Sequence, residues 1–208
     1  MADRVVVFID YQNVYRSARG LFHDHLLDPH YFGQINPYRL GLSLAADSPY
    51  ERALSEVRIY RGLPSATHDP KGYGAARKQI ATWRANPMVS VYARPIQYPE
   101  GWPDSHTPGR RPMEKGVDVQ LALDMALMAH RGQFDVGILF SLDTDLRPAL
   151  EAVRASADAD GRPRAEVAAW SVPGKQCRRL ALKGASVYCH WLNEFSYFKV
   201  RDNTDYTQ

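Results

Sequence analysis

The chain has 208 residues and 23.5 kDa, with 45% hydrophobic and 24% charged residues, enough for one domain with a sizeable core and cramped for two. A net charge of +3 permits a polyanionic partner without demanding one. Two cysteines, Cys177 and Cys189, frame no disulfide scaffold and lack metal-site spacing, so both read as structural thiols. The start, Met1 to Ile9, lacks a signal peptide's apolar region, and the apolar stretch Val117 to Ala129 is too short to span a bilayer. A cytoplasmic protein with no membrane partner is expected.

In chain order, Arg4 to Asp10 is short, β-branched and uninterrupted, the pattern of a buried strand. Asn13 to Arg19 has helical character with Gly20 as its stop, and Leu21 to Asp47 is a mixed insertion with a weak helical piece from Pro37 to Ala46. Ser55 to Gly62 alternates as a second strand. Leu63 to Gly74 reads as a loop broken by Pro64, Pro70, Gly72 and Gly74. A helix from Ala75 to Asn86 turns Ile80 and Trp83 inward, and Met88 to Tyr98 supplies a third strand.

Pro99 to Gly116, with four prolines and three glycines, is the most loop-like run. Val117 to His130 is a helix apolar almost all round, hence largely buried. Phe134 to Ser141 is a fourth strand, and Leu146 to Ala157 a helix that carries Pro148 in its first turn. A polar turn leads to a fifth strand, Ala165 to Ser171, then a short helix, Gln176 to Leu182, and a sixth strand, Ser186 to His190. Residues 1–190 are expected to form the domain, with 191–208 a tail that starts aromatic and ends polar and partly disordered. Alternating strands and helices predict an α/β fold, a mainly parallel sheet of five or six strands with helices on both faces. Right-handed crossovers then set the ends of the first and fourth strands side by side.

Carboxylates gather at those ends. Asp10 closes the first strand, Asp143 and Asp145 follow the fourth, and Asp118 sits in the first turn of the Val117 helix. Ligands of open α/β sheets bind at the carboxyl ends of strands. Singly, Asp118 reads as an acid favoured by a helix N-terminus and Asp145 as a helix cap. Jointly they make an oxygen-only ligand set suited to Mg²⁺ or Mn²⁺ and to phosphoryl chemistry. Asp124, about 120° round the helix axis and about 9 Å beyond Asp118, cannot share its immediate place and must be paired or hydrogen-bonded. Lys115, Arg110 and Arg111 are candidate phosphate contacts, Lys71, Arg77 and Lys78 a second group, and Tyr11 a residue that stacks a base or crowds the site.

Phe8-Ile9-Asp10 with Asn13, Lys115-x-x-Asp118-Val119 with Asp124, and Ser141-x-Asp143-x-Asp145 with Pro148 resemble, in order, the motif series of the NYN domain family of PIN-like ribonucleases. The resemblance spans about Val5 to Val187. It implies a Rossmann-like, PIN-type three-layer α/β/α sandwich. It further implies a metal-dependent endoribonuclease that uses Mg²⁺ or Mn²⁺ on RNA, with Asp10, Asp118, Asp143 and Asp145 as metal-binding acids, Asn13 beside them, and Asp124 and Ser141 in supporting places. Tyr11 and Leu142 stand where glycine is frequent in the family, and Leu146 where an aromatic is common. Those departures favour the alternative, a catalytically weak or inactive RNA-binding regulatory module. Homodimerisation and a protein partner that confers specificity are both compatible with the chain. An Asp-x-Asp pair also occurs in haloacid-dehalogenase-type phosphatases, but there it follows the first strand rather than the fourth.

Overall fold

The computed structural model describes residues 2–48, 50–103 and 111–208. Among them six strands make one sheet: β1 (Asp3–Asp10), β2 (Arg52–Leu63), β3 (Val89–Pro95), β4 (Val136–Phe140), β5 (Arg164–Trp170) and β6 (Cys189–Leu192). All pairings are parallel, in the order β3-β2-β1-β4-β5-β6. Six helices cover it: α1 (Tyr11–Phe22), α2 (Pro37–Ala46), α3 (Pro70–Arg84), α4 (Val117–His130), α5 (Arg147–Ala155) and α6 (Glu194–Val200). The expected α/β architecture with a parallel sheet is the one observed.

Strand alternation divides the core. Val5, Val7 and Ile9 face a layer built from α1, α2, α3 and α6, with Val14, Leu40, Trp83 and Tyr197 in the same cluster. Val6 and Phe8 face the opposite layer, α4 and α5, with Leu121, Met125, Leu150 and Val153. The chain therefore forms three layers, α/β/α. β1 pairs with β2 on one side and β4 on the other, Ile9 standing opposite Ile59 and Phe140. The strand order reverses there, so the carboxyl ends of β1 and β4 flank a crevice.

Several local expectations fail for identifiable reasons. Pro70 and Gly72 do not break a helix; Pro70 occupies the first turn of α3, and Asp69 caps it by accepting from the Gly72 amide at 2.8 Å. Gly20 does not stop α1, which runs on to Phe22 and ends at the His23 amide donating to Arg19 O. Residues 176–182 form no helix: the run is too short to nucleate alone, and Leu180 buries itself from irregular chain. β6 lies later than predicted, because His190 and Leu192 are the inward-facing pair.

α4 is not buried all round. Val119, Leu123 and Leu127 are 61%, 56% and 46% exposed, because only one side of the helix meets the sheet. Residues 191–208, predicted to fray, carry α6, a bridge from Arg201 to Ile35 and a buried Tyr206, since Tyr197 and Val200 supply an apolar face. No helix among the described residues is long and apolar enough to cross a membrane.

At the amino-terminal end of the sheet Glu166 is buried between Arg52, which it meets through two hydrogen bonds of 2.6 and 2.8 Å, and His190 at 2.7 Å. Burial works to raise the Glu166 pKa, but the bonds from His190 and Arg52 bring it down to about 2. Removing the carboxylate strands a guanidinium that is 1% exposed. Glu166→Ala is expected to cost about 3–5 kcal/mol in urea unfolding; a loss under ~1 kcal/mol would show the pair is not structural.

Candidate active site

Asp10 is the last residue of β1 and, following Val6 and Phe8, belongs to the strand face turned toward α4. It also caps α1, accepting from the Asn13 amide at 3.3 Å. Ser141, immediately after β4 and wholly buried, donates its hydroxyl to the second Asp10 oxygen at 2.8 Å. The same Ser141 oxygen accepts from the Asp143 amide at 3.0 Å, while Asn13 Oδ1 accepts from the Leu142 amide at 3.0 Å. These bonds seam the ends of β1 and β4 together. Asp143 then caps a single 3₁₀ turn (Thr144–Leu146), accepting from the Asp145 amide at 2.9 Å. The cap is thus Asp143, and Asp145 lies in the first turn that it caps.

Asp118 enters from the start of α4. The helix is preceded by Gly116 at φ 75°, a left-handed conformation that a side chain would strain. Asp10, Asn13, Arg16, Glu114, Asp118 and Asp143 line one cleft of about 430 Å³ at the crevice between β1 and β4. Glu114 was not foreseen. It holds the Gly62 amide at 2.9 Å and faces the same space from the loop before α4. Its one sequence signal is an acid four residues before Asp118 and next to Lys115. Arg16 was missed too; it stands three residues after Asn13, on the same side of α1.

Counter-charge from the described residues reaches the acids only as a field: Arg16 lines the same cleft, and Arg61 and Arg16 both act on Glu114 without pairing with it. Among the described residues none of Asp10, Glu114, Asp118, Asp143 and Asp145 forms an ion pair. Burial pushes the Asp10 carboxyl up to about 6 despite the Ser141 and Asn13 bonds, with the Asp118 and Glu114 charges adding to the rise. Burial also raises Glu114. Asp118 is raised by burial first, then by the charges of Asp143 and Asp145. Oxygen donors of this kind suit a hard divalent cation in chemistry. Among the described residues, no three His, Cys, Asp or Glu side chains already converge tightly enough to grip one. The acids ring the cleft rather than closing on its centre.

Other expected site residues lie elsewhere. Asp145 is exposed and outside the cleft, reaching it only through its field at Asp118. Asp124 is taken up by Arg58 at 3.2 Å and by the Tyr60 hydroxyl at 2.8 Å. Tyr11 neither crowds the site nor offers a face to a base. It is 4% exposed, edge-on to Trp83 at 4.8 Å, with its hydroxyl accepting from Gln79 at 2.9 Å, because the first residue of α1 turns beneath the helix. Lys115 and Arg111 are exposed and do not line the cleft. Arg110 lies outside the described residues.

The family model described as the NYN domain matches residues 4–158. Among solved structures, a protein of unknown function from Vibrio parahaemolyticus is similar, with 19% sequence identity, a TM-score of 0.52, and coverage of 93% of this chain and 94% of that one. At that identity the likeness speaks for the fold alone. Comparison with curated proteins found no match.

The Ser141 hydroxyl is the principal bond that holds the Asp10 pKa down. Ser141→Ala is therefore expected to move the Asp10 titration above about 6, followed by carboxyl-carbon NMR. An unmoved titration would show that the bond does not form in solution.

Proposed function

The chain belongs to the NYN domain family, and we propose that it is a metal-dependent endoribonuclease that hydrolyses phosphodiester bonds of RNA in the cleft between β1 and β4. The observation that carries this reading is the convergence of Asp10, Asp118, Asp143 and the unforeseen Glu114 on one cleft, none of them in an ion pair among the described residues. Buried like charges are unfavourable unless a ligand compensates them, and such tension is characteristic of functional sites.

In this reading Asp10, Asp118 and Asp143 hold Mg²⁺ or Mn²⁺, with Glu114 beside them and Asp145 adding negative field from outside. The bound cation would polarise the phosphate and lower the pKa of a water molecule. Asn13 and Ser141 position the acids: through Leu142 and Asp143 they set the height of the loop after β4 relative to Asp10. Arg16, exposed at the rim, supplies a guanidinium for a strand phosphate. Tyr11 does not obstruct this cleft, and Leu142 lines it. The Tyr11 side chain lies outside the cleft, and Leu142 contributes its backbone amide.

Cleavage of RNA by the purified protein is expected with Mg²⁺ or Mn²⁺ and not in EDTA. Asp143→Asn should lower kcat/KM by about a hundredfold or more, the scale on which a lost electrostatic contact acts in such sites. RNA binding without turnover, equal in Asp143→Asn, would replace the enzyme with a regulatory module.

A second expectation concerns stability without cleavage. The folded-state pKa of Asp118 lies above its unfolded value, so its ionisation opposes folding as pH rises. Metal-free Asp118→Asn should melt higher than the wild type at pH 7, and the difference should shrink as pH falls to where Asp118 protonates. Added Mn²⁺ should raise the wild-type melting temperature more than that of the variant. Equal Mn²⁺ shifts in the two proteins would remove Asp118 from the metal site.

A further inference from the structure

A second cavity of about 410 Å³ lies across α1 from the acidic cleft, and Gln12 lines both. Its walls include Tyr15 from α1, Arg61 from β2 and Gln79 from α3. Arg61 follows Val57 and Ile59 on the strand face turned toward α1 and α3, at the carboxyl end of β2. Its guanidinium lies over the Tyr11 ring at 4.9 Å and the Trp83 ring at 5.7 Å.

Charge balance at this residue is unusual. Among the described residues Arg61 has no carboxylate at ion-pair distance. Its hydrogen bonds run to the neutral Gln79 Oε1 at 2.5 Å and to the Gly62 carbonyl at 3.2 Å, which among the described residues leaves Nη2 without a partner. Gln79 is itself fixed, since its amide nitrogen donates to Tyr11 at 2.9 Å and to Gln34 at 3.0 Å. Arg19 is a useful contrast. Among the described residues it too lacks a carboxylate, but its two Nη atoms donate to the carbonyls of Asp28, Pro29 and Phe32, and it lines neither cavity. Asp69, which also lines the second cavity, spends its carboxylate on capping α3. A half-buried guanidinium with one amino group open at a cavity wall has a donor to offer an anion.

We propose that this cavity is a phosphate subsite for the substrate strand, in which Arg61 Nη2 donates to a phosphate on the strand that continues past the acidic cleft. The proposal rests on the ribonuclease reading for its ligand class. The two cavities share Gln12, so one strand reaches both by passing over the start of α1. Tyr15 is at hand for the attached nucleotide, although its hydroxyl is already bonded to the His30 carbonyl. Phosphate contacts of this kind set register on the strand without reading sequence.

Gln79→Glu tests this without removing Arg61, because it places a carboxylate where the amide oxygen now meets the guanidinium. The probe is a fluorescein-labelled 2′-O-methyl hexaribonucleotide, which cannot be cleaved through its 2′-hydroxyl, titrated by anisotropy in EDTA. Gln79→Glu is expected to weaken binding about tenfold or more, the scale of a charge-assisted hydrogen bond, in a protein that still unfolds cooperatively although it loses the amide donors to Tyr11 and Gln34. Arg61→Met should weaken binding likewise. A folded Gln79→Glu protein with wild-type affinity would overturn the subsite. Orthophosphate should perturb the Arg61 side-chain NMR signals at least tenfold less tightly than the oligonucleotide, and equal affinity would overturn the strand assignment in favour of free phosphate. The two readings also fail separately. Cleavage with KM unchanged in Gln79→Glu would sink the subsite alone, whereas binding through Arg61 with no cleavage under any divalent cation would sink the ribonuclease reading alone.

Discussion

The hydrogen bond from Ser141 to Asp10 is the joint on which the site depends. It spans 131 residues of sequence and crosses from the end of β4 to the end of β1, at the place where the sheet order reverses. The Ser141 oxygen that donates to Asp10 also accepts from the Asp143 amide, so one hydroxyl sets both carboxylates relative to each other. Asn13 makes the parallel connection to Leu142. Parallel strands cannot be joined by a tight turn, so their ends meet only through side chains and loops of this kind.

Strand alternation then decides what each side of the sheet can do. Asp10, on the face of Val6 and Phe8, looks toward α4 and meets Asp118 and Glu114 across the cleft. Arg61, on the face of Val57 and Ile59, looks toward α1 and α3 and lines the second cavity. A shift of one residue in either strand would exchange these faces. Two cavities consequently stand on opposite sides of α1 with Gln12 common to both, one rich in acids beside Arg16 and the other holding Arg61 and the capping Asp69. Arg61 and Glu114 feel each other's charge, yet neither forms an ion pair among the described residues.

The layered fold was readable because its signals are local. Three of the strands, β1, β4 and β5, are short apolar runs at their predicted places, and α2 and α4 have the predicted limits, since hydrophobic periodicity reports burial directly. Pro70 misled because the same residue ends a helix from within and begins one at its first turn, a distinction made only by the Asp69 cap. α4 misled in another way: its composition is apolar on every side, yet Val119, Leu123 and Leu127 meet no layer. Periodicity states which residues prefer burial, not whether another element arrives to bury them.

The residue types of the acidic cluster, and the strand ends and helix start that carry them, were determined by the sequence alone, because an acid directly after an apolar strand must lie at the sheet edge. Only the tertiary structure decided which acids share a space. It admitted Glu114 through its bond to Gly62, set Asp145 outside the cleft, and gave Asp124 to Arg58 and Tyr60. It also withdrew Tyr11 into the core and, among the described residues, left Arg61 without an ion pair at a cavity wall. The physical reason is one of range. Burial preference and capping act over a few residues, whereas charge compensation depends on which side chains distant in sequence the packing brings within a few ångströms.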